Sequence, residues 1–402
     1  MSDQPGMTRD FDVIVFGATG FTGRLVADYL RTCAPREHLR WAIAGRSRDK
    51  LAALGLDVPI VTGDALDPAA MRELARRTRV VCTTTGPFAR YGSELVFACA
   101  EAGTHYCDLT GEVQWMRRMI DAHHERARTT GARIVHTCGF DSIPSDLGTW
   151  AAQQAFIARF GHPAHKVTAL YGEQSGGFSG GTLASAIETM REASTDRTIR
   201  RILDNPYALD PDPDGDHPAA PDERSIGWER HLKVFTAPFV MAQVNTRVVR
   251  RAHALAGEPW GQDFVYREVM STPGTARGAV MAAGITGAVL ALEFAMMRPI
   301  LRDQLAKRGP QPGQGPSPEQ RALGHWTLRL VAEAARDEVL IFTVSDRADP
   351  GYGSTAKMLG EAALCLARDP LSSPGGVLTP SVAMAAPLIE RLRRAGLVFA
   401  AS

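Results

Sequence analysis

Up to about residue 146 the chain alternates short apolar runs with stretches of helical period. Val13 to Phe16 reads as a buried strand, followed by glycines and then a helix with Leu25, Val26, Tyr29 and Leu30 on one face. Residues 39–44 and 58–62 read as further strands, and 68–77 as a helix. A strand at 80–83, a helix at 93–102, a strand at 105–107, a helix at 114–130 and a strand at 133–136 continue the series. This βαβαβ repetition predicts an α/β fold, a doubly wound parallel sheet of Rossmann type with ligands at the carboxyl ends of its strands. The unusual residues gather on that rim, in GATGFTG, AGRS, TTTGPFARYG, CDLTGE and CGFDSIPSD.

After residue 146 the texture changes. A helical stretch at 147–160 leads to a strand at 167–171, the loop GEQSGGFSGG and a helix from Thr182 to Ala193. Residues 204–224, rich in proline and aspartate, read as a solvated loop. The alternation at 326–334 and 337–345 predicts a hairpin, hence a second α+β domain with a mainly antiparallel sheet. The expected division is a cofactor domain at 1–146, a substrate domain at 147–348, and C-terminal helices at 349–402 packed back on the first domain. Residues 278–292, GAVMAAGITGAVLAL, carry no charge. As a helix they rise only about 22 Å, short of a ~30 Å hydrocarbon core. They suit a buried helix, an interfacial element or a channel wall, and 278–292 is the one candidate for peripheral contact with the inner face of a membrane.

Composition narrows the function classes. A chain of 402 residues exceeds one ordinary core, and its net charge of +1 with dispersed arginines leaves no electrostatic footprint for nucleic acid. The six cysteines form no CxxC pair and read as reduced, buried thiols of a cytoplasmic protein. The N-terminal MSDQPGMTRDFD is acidic and lacks an apolar core, unlike a signal peptide. DPDPDGD resembles a calcium loop, but Pro221 stands where a glutamate is needed, and no HExxH occurs. No metal is expected.

The glycine loop between the first strand and its helix points to a dinucleotide. Gly17 permits the tight turn, Gly20 lets phosphates approach the backbone, and Gly23 lets the helix pack close to the strand. Thr19, Phe21 and Thr22 share this loop, where backbone N–H groups and the helix N-terminus meet a pyrophosphate. After the second strand no acid stands ready for a ribose 2′-hydroxyl. Arg46, Ser47, Arg48 and Lys50 instead offer donors and charge to a 2′-phosphate, which favours NADPH over NADH. Asp64, past the third strand, faces the adenine side, and Thr85, Gly86 and Pro87 complete the cofactor set.

The succession GATGFTG, AGRS, TTTGPFARYG, AEAGTHYCDLTGE, GARIVHTCGFDSIPSDLG, SGGT and GGVLTP resembles the saccharopine-dehydrogenase-like oxidoreductases. More closely it resembles the trans-acting enoyl reductases of actinobacteria, from Phe11 to about Leu392. The resemblance implies an NADP-binding Rossmann domain, a second α/β domain, and, for one branch, reduction of an enoyl intermediate during polyketide-type lipid assembly on a separate synthase. Such a reduction needs a proton donor and a group that stabilises the enolate oxygen. The Tyr-x-x-x-Lys dyad of short-chain dehydrogenases is absent, since Tyr352 and Lys357 are one residue too far apart. Tyr91 on the strand-4 loop is the first candidate acid, with Tyr106 and Asp141 behind it. Ser142, Ser145 and Asp146 suit either catalysis or turn and helix capping, and 175–182 either an amide cradle or a helix start.

Two rival readings remain. A saccharopine-type amino-acid dehydrogenase would need cations for several carboxylates, for which Arg247, Arg250 and Arg251 are available unless they face solvent. A cofactor-binding scaffold on lipid surfaces would turn nothing over. A carrier-borne acyl substrate would suit a docking face at Arg117, Arg118, Arg126 and Arg128, or at Arg197, Arg200 and Arg201. If Arg46 pairs with the 2′-phosphate, Arg46→Ala weakens NADPH binding by about 1.5–3 kcal/mol and leaves NADH binding almost unchanged. Calorimetric titration with both cofactors checks this, and equal losses would make Arg46 a loop support only.

Overall fold

The apolar runs of the first third become strands buried on both faces, as a parallel sheet covered by helices requires. They are β1 (Phe11–Phe16), β2 (Trp41–Gly45), β3 (Ile60–Thr62), β4 (Thr78–Thr83), β5 (His105–Cys107) and β6 (Arg133–Val135). The computed structural model describes residues 9–140, 142–172, 180–309, 317, 319, 321, 323–334 and 338–402, with no side chain described at 180 or 182. The second sheet contains β7 (Lys166–Tyr171), β8 (Gly227–Glu229), β9 (Val234–Pro238), β10 (Val265–Thr272), β11 (Trp326–Glu333) and β12 (Val339–Asp346). Two late strands, β13 (Gly376–Leu378) and β14 (Val398–Ala401), complete one sheet each.

The first sheet runs β13-β6-β5-β4-β1-β2-β3, parallel throughout. The order reverses at β1, so the rim beside β1 and β4 is the topological switch point. The second sheet runs β14-β12-β11-β7-β10-β9-β8 and is antiparallel except where β7 pairs with β10. The expected hairpin is the β11–β12 pair, in register from Trp326 opposite Asp346 to Glu333 opposite Val339.

Helix Ile143–Phe160 packs on β11 and β12 and on the last helix, Pro380–Arg394. Helix Thr355–Arg368, buried along most of its length, packs on helix Phe21–Glu37 and on β1, β4 and β5. One continuous apolar cluster therefore includes Val13, Leu147, Leu330, Leu359 and Leu388. The closing segment carries an edge strand for both sheets, which its short GGVLTP signal did not reveal.

Three expectations need correction. Residues 204–224 are not a free solvated loop, since Ala208, Leu209, Asp210 and Ala220 are buried. Arg247, Arg250 and Arg251 are buried as well and clamp this segment. Arg250 donates to Pro206 O at 2.8 Å and Ala220 O at 3.0 Å, and Arg251 to Leu209 O at 2.6 Å and Val377 O at 2.7 Å. Arg247 pairs with Asp222 and donates to Leu203 O at 3.2 Å. Burial lowers the Arg250 and Arg251 guanidiniums to about 10 and about 9, and both still carry their charge at neutral pH. Lastly, 278–292 is no core helix: it lies within a 22-residue helix, Ala276–Met297, that is mostly exposed.

Asp146 has a structural place. Its carboxylate accepts from Ser381 N at 2.7 Å and Ser381 Oγ at 2.6 Å, fastening helix Ile143–Phe160 to the start of helix Pro380–Arg394. Asp146→Ala leaves the buried Ser381 N without its acceptor and Ser381 Oγ with only a 3.5 Å contact to Thr379 Oγ1, so stability should fall by about 1–3 kcal/mol. Urea denaturation of the two proteins measures it, and an unchanged midpoint would mean the junction relaxes without this bond.

Candidate functional site

At the switch point the loop after β1 meets the loop after β4. Gly17 has φ +89°, and a Cβ on it would lie 2.3 Å from Thr85 Oγ1. A Cβ on Gly23 would lie 2.2 Å from Gly17 O, so helix Phe21–Glu37 approaches the turn as no other residue allows. Thr84 Oγ1 donates to Gly17 O at 3.3 Å across the two loops. Thr19 and Gly20 are exposed, Phe21 and Thr22 half-buried, and no side chain caps the helix at Gly20. The first-turn amides thus form an uncapped positive end beside an open glycine.

The residues expected to meet a 2′-phosphate lie one strand away. Ser47 Oγ accepts from Lys50 N at 3.4 Å, capping helix Arg48–Ala52, and its proton stays free to donate. Arg46 is exposed and no described acid pairs with it. Asp64 is exposed past β3, where Oδ1 accepts from Leu66 N at 3.0 Å in a local turn. Thr85 Oγ1 is buried without a described partner next to Gly86 and Pro87. An open glycine turn, an unpaired cation and spare hydroxyl donors fit a phosphorylated dinucleotide. The Phe21 ring itself packs edge-on against Tyr352, with centroids 4.7 Å apart.

Tyr91 ends the short helix Phe88–Tyr91. Glu112, buried in CDLTGE, holds that turn: its oxygens accept from Phe88 N at 2.8 Å and Ala89 N at 2.7 Å. A hydrogen bond from Ser185 reaches the same carboxyl from helix Gly180–Thr195, and burial pushes its pKa up. Tyr91 is half-buried with the Arg90 guanidinium 5.3 Å from its ring centroid, and its hydroxyl bonds no described group.

Tyr106 is placed differently from the expectation. Its side chain is fully buried, and its hydroxyl donates to Asp108 Oδ2 at 2.9 Å. Burial and the Asp108 carboxylate hold the phenol well above its ordinary pKa. It is a core residue, without the access a proton donor to substrate needs. Asp108 is a hub missed in the sequence, at the carboxyl end of β5. It also bonds His136 Nδ1 at 2.8 Å and accepts from Thr110 N and Thr137 N, both at 3.1 Å. His136 Nε2 is buried without a described partner.

Asp141 lies outside the described residues, as do 175–179 of the glycine-rich loop. Ser142 and Ser145 do not cap their helix. Ser142 Oγ donates to Asn245 Oδ1 at 2.8 Å, and Asn245 Nδ2 donates to Glu268 Oε1 at 2.6 Å. Ser145 Oγ and Tyr266 Oη donate to Glu268 Oε2 at 2.8 and 2.7 Å. Lys357 is bound to Asp346 through both carboxylate oxygens, at 3.0 and 2.9 Å. Of the arginines suggested for docking, all but Arg197 have a partner among the described residues. Arg118 pairs with Glu192, Arg126 with Glu101, Arg128 with Glu125 and Arg201 with Asp214. Arg117 donates to Asp210 O and Arg200 to Ala193 O.

An α/β chain of two sheets with this glycine cradle at the switch point and an exposed cation after β2 fits an NADPH-dependent oxidoreductase, and comparisons with known proteins show that class. Residues 13–135 match the saccharopine dehydrogenase NADP-binding domain. The whole fold is similar to apo saccharopine dehydrogenase (L-Glu forming) from Saccharomyces cerevisiae, with TM-score 0.51 and 11% identity over 97% of this chain and 99% of that one. The trans-acting enoyl reductase of Mycobacterium ulcerans is 39% identical, covering 98% of both chains. That of Mycobacterium leprae is 38% identical, covering 97% of both. The chain belongs to the trans-acting enoyl reductase family.

Glu268 generates a pH prediction. Burial raises its carboxyl from 4.5 to about 7, against the three donors that favour the charged form. The folded-state value lies above the free one, so its stabilising contribution is full below about pH 4.5 and is lost as pH rises through about 7. Relative to Glu268→Gln, wild-type stability should fall by up to about 3 kcal/mol across that window. Chemical denaturation at a series of pH values tests this, and parallel profiles would place the proton elsewhere.

Proposed function

We propose that this protein reduces a carbon–carbon double bond conjugated to a thioester on an acyl chain, with NADPH as reductant and the substrate carried by a separate protein. The observation that carries this reading is the near-complete alignment with relatives named for enoyl reduction. The saccharopine-type alternative is weakened by Arg247, Arg250 and Arg251, whose guanidiniums are engaged by Asp222 and by backbone carbonyls instead of facing a pocket for substrate carboxylates.

The bound cofactor would lie along Gly17, Gly20 and Gly23 with its 2′-phosphate toward Arg46 and Ser47, and it supplies hydride for the β-carbon. The protein's own task is the other half of the reaction. As charge gathers on the thioester oxygen, a donor must stabilise it and a proton must reach the α-carbon. Tyr91 is the residue best suited: its hydroxyl bonds no described group, it is only half-buried, and it stands on the strand-4 loop at the switch point. Glu112 is a positioning residue that fixes the turn from which Tyr91 projects.

NADPH oxidation followed with a panel of enoyl thioesters and imines tests the reading. Turnover with the thioesters is expected, and Tyr91→Phe should lower kcat by about 10²-fold or more with NADPH affinity unchanged. Turnover with imines alone would sink the proposal, and unchanged kcat in the variant would remove Tyr91 from it.

A further inference from the structure

Helix Ala276–Met297 is apolar on both sides, although among the described residues only one side has a protein neighbour. Its inner side packs on β9, β10 and helix Gly180–Thr195. Its outer side, continued by the start of helix Pro299–Arg308, presents Val280, Met281, Leu290, Phe294, Met297 and Ile300. Val280 is 73% exposed, Phe294 50%, Met297 59% and Ile300 75%. A surface helix facing water has a polar outer face. Here no charged residue occurs between Arg277 and Glu293.

Charge is sorted around this stripe. Between Ala276 and Arg308 there are five cationic and two acidic side chains, in a protein of net charge +1. Arg277 marks one end, and Arg298, Lys307 and Arg308 gather at the other. Both acids are engaged, Glu293 by Arg224 at 3.5 Å and Asp303 by Arg191 at 3.4 Å. The Arg298 guanidinium lies 5.1 Å from the Phe294 ring centroid, its stem along the apolar surface and its head at the margin.

We propose that this face docks on an anionic lipid bilayer, with the helix lying in the interface plane. In that orientation the apolar face meets acyl chains, and Arg277, Arg298, Lys307 and Arg308 at its margins meet headgroup phosphates. A second copy fits poorly, because a twofold antiparallel pairing of these helices would set Arg277 of one copy beside the Arg298 of the other. The inference goes beyond the reductase reading and holds whether or not an enoyl thioester is the substrate.

Cosedimentation of the full chain with phosphatidylcholine vesicles, with and without phosphatidylglycerol, tests it. Binding is expected with phosphatidylglycerol present, weakening as salt brings the Debye length below ~10 Å. Leu290→Asp/Phe294→Asp should lower the partition at least about tenfold while NADPH affinity and far-UV circular dichroism stay as in wild type. If that variant does not fold, Arg298→Gln/Lys307→Gln carries the test and should reduce binding to the phosphatidylglycerol vesicles alone. Wild type left in the supernatant with both vesicles overturns the proposal. So does a wild-type dimer that Leu290→Asp/Phe294→Asp dissociates, which would assign the face to a second copy. Retention on vesicles through alkaline carbonate washing also overturns it, since the helix would then span the bilayer.

Discussion

No side chain can be added at Gly17 or Gly23, where the loop that leaves β1 meets the loop that leaves β4. Gly17 is held against the Thr85 hydroxyl, and Gly23 against the Gly17 carbonyl and the Thr84 hydroxyl, so two glycines and two threonine hydroxyls converge on one spot. Everything at the rim inherits that closeness. Helix Phe21–Glu37 starts there without a side-chain cap, which keeps its amides for a ligand. Phe21 is brought against Tyr352, joining the first domain to the segment after β12. A single methyl group at Gly17 or Gly23 would push the helix off the strand and disturb all of these at once.

The fold was largely legible because its signals are local. Val13 to Phe16, the glycine triplet and the period of Leu25, Val26, Tyr29 and Leu30 each require only neighbouring residues to be read. The β11–β12 hairpin showed itself by strict alternation. Three short strands did not: β13 and β14 have three or four residues and depend on partners far along the chain, and β8 has three and pairs with the nearby β9. The outer sequence of helix Ala276–Met297 misled for a related reason, since apolarity all round is the mark of a buried helix as well as of one that meets lipid.

The cofactor class was legible in the sequence, and the polar contacts at the rim less so. Arg46 follows from the missing acid after β2, a pattern of one short stretch. Glu112 and Asp108 were both within the quoted CDLTGE at the strand-5 rim, yet their roles arise from partners at Phe88, Ala89, Tyr106 and His136. Arginines 247, 250 and 251 look like a solvent-facing or substrate-binding cluster until the segment they clamp is seen. Buried guanidiniums need several acceptors, and a loop rich in proline leaves many carbonyls without backbone partners.

The placement of β13 and β14 sets an order on how this protein can be made. Each occupies the outermost position of its sheet, beside β6 and β12 respectively. A ribosome-bound chain lacking its last few dozen residues has two sheets with a bare hydrogen-bonding margin, and an apolar cluster missing the helices at 355–368 and 380–394. Domain-wise folding during synthesis therefore cannot close either half early, and exposed margins of this kind invite pairing with other chains. Loss of the segment that carries β13 and β14 would damage both sheets together.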